Sequence, residues 1–138
     1  MLVLVGVFDV GRAVYAYNTV TNAARVGGRV ASVNQIYNSP GCDQNKPIQS
    51  LGSPKWSVVA CAAQSAVSLG IAPVNVTVTY STPPDKVLTC SAGSLQVGCL
   101  ATVTVTYQYT PVTPIIGNLI GSITISSTSQ VAVENVFP

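Results

Sequence analysis

The first 39 residues of this chain contain no proline, and all nine prolines lie from position 40 onward. A proline-free stretch rich in Val, Ala, Arg and small residues can run as one continuous helix. The turn cluster Asn38-Ser39-Pro40-Gly41 is where it has to stop. The sequence therefore predicts a helix from Met1 to about Tyr37, on the order of 55 Å long at 1.5 Å per residue. Its many β-branched residues give it mediocre intrinsic propensity, so something must pack on it. The packing surface is visible as Ala23, Gly27 and Ala31, spaced every four residues, flanked by Ala24, Gly28 and Ser32. Such a stripe lets another backbone approach closely, as in membrane helix pairs. Each glycine costs up to about 1 kcal/mol of helix stability relative to alanine. Either close approach offsets that cost, or the glycine pair marks a hinge.

The start of this helix is apolar on every side. Residues 1–8, MLVLVGVF, carry no polar side chain, although a membrane-spanning helix needs about 20 apolar residues. Asp9 and Arg12 interrupt the run, three apart on one helical face, where they can pair. Neither a basic segment before the run nor a small-residue cleavage site after it suggests an intact secretory signal. Two explanations stand: a longer hydrophobic helix of which this is the remainder, or an apolar end buried against copies of the chain. Leu2, Leu4, Val5, Phe8, Asp9, Arg12, Ala23, Gly27 and Ala31 are accordingly the candidate assembly interface. On this reading, deletion of residues 1–20 leaves a folded domain, and Gly27→Leu impairs assembly without unfolding it.

Ser53 as N-cap, Pro54 at the first helical position and Gly70 as terminator predict a second helix. Its apolar face is Val59, Ala62, Ala63, Ala66 and Leu69, which leaves Cys61 beside Ser57, Ser65 and Ser68, on the side suited to a surface disulfide. Trp56 reads as a boundary residue. Beyond it, Val74, Val76, Val78 and Tyr80 alternate with polar residues, as do Val103, Val105, Tyr107 and Tyr109. Ile123, Ile125, Val131 and Val133 share one parity in a third alternating run. Period-2 alternation predicts an antiparallel sheet of three to four strands with a Thr-rich face in water. The expected fold is α+β: a long N-terminal helix over residues 1–38 and a globular domain over 39–138, with the second helix on the sheet. Asn75-Val76-Thr77 is a formal glycosylation sequon inside a predicted strand.

Composition narrows the function. Only 7% of residues are charged and there is no histidine, which removes His-based catalysis and imidazole metal sites. Asp43, Asp85 and Glu134 are widely separated, so paired-carboxylate chemistry has little support, and the sequence argues for no enzyme, no cofactor and no metal. Three arginines between positions 12 and 29 and three scattered lysines make no basic stripe for nucleic acid. Cys42, Cys61, Cys90 and Cys99 form no CxxC pair, so they read as two disulfides in an oxidising compartment. Of three pairings, Cys42–Cys61 with Cys90–Cys99 closes the shortest loops.

Asp9-Val10-Gly11-Arg12, Tyr15 and Asn22-Ala23-Ala24-Arg25-Val26-Gly27-Gly28-Arg29 resemble the N-terminal signature of the TadE-like family. Those proteins are pilins and pseudopilins of tight-adherence pili, a branch of the type IV filament superfamily. The stretch from Val103 through Tyr107, Tyr109, Pro111 and Pro114 to Gly117, and the Thr/Ser-rich strand ending at Glu134, are also similar to it. The resemblance implies a precursor held in the cytoplasmic membrane and a mature chain in an extracellular cell-surface filament. Its partners would be copies of itself and other pilus subunits, with a surface or host-cell ligand possible. Family members carry more hydrophobic sequence before the Asp-x-Gly-Arg motif, with a processing site and commonly a glutamate after it; position 5 here is Val5, so processing is carried over to no residue. The competing expectation is a secreted or membrane-anchored monomeric adhesin, which explains sheet and disulfides but not the apolar helix end.

Overall fold

The computed structural model describes residues 2–33, 42, 57–91, 95–113, 117 and 121–134. Helix α1 spans Leu2–Ser32 and α2 spans Val58–Ser65; two 3-10 turns follow, Val67–Leu69 and Pro73–Asn75. Strands β1 (Val76–Ser81), β2 (Leu100–Tyr109) and β3 (Ile123–Ala132) form one antiparallel sheet in the order β1-β2-β3. The arrangement is α+β.

The alternation read from the sequence is what orients the sheet. Ala101, Val103, Val105 and Tyr109 of β2 are buried beneath the helices, with Val76 and Val78 of β1 beside them. The register Val76↔Val105 and Val103↔Ser129 lines these residues up across the sheet. The opposite face carries Thr77, Thr79, Thr104 and Thr128, and the last two bring their hydroxyl oxygens to 3.0 Å. Val74 departs from the expected strand: Pro73 opens a 3-10 turn instead, and the valine is exposed.

Helix α1 is continuous through Gly27 and Gly28, so the glycine pair is no hinge. Both glycines answer to contacts within the chain. A Cβ on Gly27 would stand 2.8 Å from Val103 Cγ1 and 3.1 Å from Ala62 Cβ; one on Gly28 would stand 2.7 Å from Ser129 Oγ. Helix, sheet and α2 approach one another here more closely than any side chain would allow. Ala16, Val20, Ala23, Ala24, Val30 and Ala31 extend the same buried stripe. The last half of α1 thus belongs to the core that the segment beyond residue 39 builds. At its C-terminal end, the Glu134 amide donates to the Ser32 carbonyl at 2.8 Å, satisfying one of the helix's terminal acceptors.

Two expectations for α2 are corrected. Its N-cap is Ser57, whose side chain accepts from the Ala60 amide at 3.2 Å, and the helix begins at Val58; Ser53, Pro54 and Trp56 lie outside the described residues. Cys61 is fully buried instead of facing water. Its serine neighbours misled because they satisfy themselves locally: Ser57 caps the helix, and Ser65 returns its hydroxyl to the Ala62 carbonyl at 2.7 Å. Disulfides join Cys42 to Cys61 and Cys90 to Cys99. Gly70 ends the first 3-10 turn at φ +66°, a left-handed position that suits glycine.

Candidate assembly site on the first helix

The first buried residue of α1, among those described, is Asp9. Before Asp9 the helix projects beyond the domain: Val3, Leu4, Val7 and Phe8 are 79%, 72%, 66% and 64% exposed, and Val5 is 38% exposed. No atom would meet a Cβ added at Gly6 or Gly11 within 4 Å. Val10, Val14, Tyr15 and Tyr17 carry exposed apolar surface further along the outer side. The side chain of Leu2 lies outside the described residues.

Asp9, only 4% exposed, is the first member of the inward stripe. Its carboxylate is held by the loop that leaves β2. The amides of Val112 and Thr113 donate to it at 3.2 and 2.9 Å, and the Thr113 hydroxyl donates as well. The Tyr109 hydroxyl donates to the Asp9 backbone carbonyl at 2.8 Å. The Thr113 hydroxyl first, then the Thr113 and Val112 amides, hold the Asp9 carboxyl below its ordinary value of 3.8 against the opposing effect of burial. Burial, followed by the Asp9 charge, pushes the Tyr109 phenol upward, which keeps it a donor.

Arg12 is a weaker partner than the spacing suggested. Its Nη1 stands 3.8 Å from Asp9 Oδ1, beyond hydrogen-bond reach, and its guanidinium carbon sits 5.7 Å from the Tyr109 ring centroid. Asp9 and Arg12 therefore fasten α1 to the end of β2. The candidate interface residues fall into two groups: Leu4, Val5 and Phe8 face outward, whereas Asp9, Ala23, Gly27 and Ala31 are committed to contacts within the chain.

Sequence reasoning missed Tyr109, Val112 and Thr113 as partners of Asp9. The pairings cross 100 to 104 positions, and the only available hint was that an acid on an inward helical face needs donors. Among the described residues no group of three or more His, Cys, Asp or Glu converges to hold a metal, and no helix is long and apolar enough to cross a membrane.

Residues 1–29 match the family model described as TadE-like protein. The matched span takes in the projecting apolar end, the Asp9–Arg12 anchor and the Gly27–Gly28 contact, and stops short of both α2 and the sheet. The similar stretches at Val103–Gly117 and near Glu134 lie outside it. No curated protein and no solved structure matches the chain.

Proposed function

We propose that this chain is a structural subunit, a pilin or minor pilin, of an extracellular filament of the tight-adherence type, and that it polymerises through the projecting end of α1. The observation that supports this reading is the exposure of Val3, Leu4, Val7 and Phe8 on a helix whose later turns bury one face in the core. Burying a side chain of this kind contributes about 1.5–3 kcal/mol, so these four contribute on the order of 10 kcal/mol per chain when fully covered. Association itself costs about 4–15 kcal/mol. A single helix pair, covering each end on one side, comes close to balance. A bundle, in which every end touches several others, is favoured.

The partners are other copies of the chain and other subunits of the same filament. Before assembly the apolar end rests in the cytoplasmic membrane. The disulfides and the sparse charge fit a cell-surface location, and the role is structural, with no enzymatic step. Electron microscopy and sedimentation of the full chain, beside a Val7→Ser/Phe8→Ser variant, test the proposal. Polymer from the parent and monodisperse folded protein from the variant support it. A parent that stays monomeric at high concentration favours a monomeric adhesin instead.

A further inference from the structure

The Asp9–Arg12 pair leaves one charge with its hydrogen bonding unfinished. Both Asp9 oxygens already accept from the loop after β2. Arg12 Nη1 is buried without a hydrogen-bond partner, and the 3.8 Å to Asp9 Oδ1 supplies attraction but no bond. The Arg12 side chain as a whole is 41% exposed and lines a cleft of about 210 Å³ between α1, the turn after α2 and β2. Tyr15, Ser68, Leu69, Tyr107 and Tyr109 form its other walls.

We propose that this cleft binds a single carboxylate group, with the Arg12 guanidinium as its cationic anchor. Three features select that ligand. First, arginine presents planar paired donors that match a carboxylate, and no other cationic side chain lines the cleft, which disfavours a phosphate dianion. Second, the Tyr15 hydroxyl donates to Ser68 Oγ at 2.9 Å, so the serine's own proton is left to donate to a ligand oxygen. Third, the cleft volume of about 210 Å³ lies below the 300–1,000 Å³ usual for a drug-sized ligand, so it suits one acidic head. The tyrosine rings and Leu69 give the carbon atoms behind that head an apolar wall.

The carboxylate has two conceivable sources: a small free acid, or an acidic side chain of a second copy of the chain, where Asp85 and Glu134 stand exposed. The site itself does not depend on whether α1 assembles.

Ligand-observed saturation-transfer NMR on the full chain, titrated with sodium acetate, tests it at constant ionic strength made up with sodium chloride. Acetamide, the neutral isostere, serves as control. The expected result is a saturable acetate signal with half-saturation on the order of millimolar. Acetamide should give none. Arg12→Gln should abolish the acetate signal, and Ser68→Ala, at an exposed turn, should weaken binding several-fold in a protein whose circular dichroism is unchanged. Sedimentation with saturating acetate separates the sources. Dissociation of an oligomer, reproduced by Glu134→Gln or Asp85→Asn, identifies a neighbour's side chain, and unchanged sedimentation identifies a free acid. An acetate signal no larger than that of acetamide, or one that persists undiminished in folded Arg12→Gln and Ser68→Ala, overturns the proposal.

Discussion

Gly27 lies so close to Val103 that a single added carbon would stand 2.8 Å from the valine's Cγ1, nearer than side chains pack. That contact places the small-residue stripe of α1 inside the domain. In a free helix, replacing a glycine by alanine stabilises by roughly 0.5–1 kcal/mol. At Gly27 the clash with Val103 and Ala62 opposes the gain, and overpacking of this kind typically costs about 1–3 kcal/mol. Gly27→Ala should therefore lower stability slightly, and Gly27→Leu should lower it severely, before any question of assembly arises. Gly11→Ala, with open space around it, should raise stability by up to about 1 kcal/mol. Urea denaturation of the three variants checks the ordering.

Asp9 makes stability depend on acid. Its folded-state pKa lies below the unfolded value near 3.8, so its contribution is complete above that value and is lost as pH falls through the depressed folded one. Asp9→Asn should melt lower than the parent at neutral pH. The gap between the two should narrow as pH falls below about 5 and the parent's carboxylate is protonated. A gap constant across that range would mean that the carboxylate charge plays no part in the contact with Thr113.

Tyr109→Phe removes the donor to the Asp9 carbonyl and keeps the ring against Arg12. A neutral hydrogen bond of this sort contributes about 0.5–1.5 kcal/mol net, so the variant should lose about 1 kcal/mol by chemical denaturation.

The disulfides bear on the compartment. Non-reducing mass spectrometry should find all four thiols blocked, in the pairs Cys42–Cys61 and Cys90–Cys99. Replacing Cys42 and Cys61 together by alanine opens a link spanning 19 positions and should cost about 3 kcal/mol. Four free thiols would contradict a location outside the cytoplasm.

The strands were legible because alternation is a local signal: Val103 and Val105 between threonines report which face is buried without reference to any partner. The cysteine pairing was legible through loop length. The partner of the small-residue stripe was not, because close approach has the same signature whether the second backbone is the chain's own sheet or a neighbour's helix. The structure argues against the expectation that residues 1–20 could be removed intact for this reason: Ala16 and Val20 are core residues, and Asp9 ties the helix to Thr113. Cys61 was misplaced because Ser57 and Ser65 looked like a solvent face while spending their hydrogen bonds on the helix backbone. The projecting end was legible in outline, since eight apolar residues before Asp9 have too little domain to cover them.

The boundary at Asp9 makes one sharp demand. A chain lacking residues 2–8 keeps the anchor, the buried stripe and both disulfides, and loses the exposed apolar end. Sedimentation velocity of this protein beside the full chain, at equal concentration and without detergent, tests the central claim most directly. A folded monomer is expected from the shortened chain and a polymer from the full one. The same large species from both would contradict that claim and would move assembly to another surface.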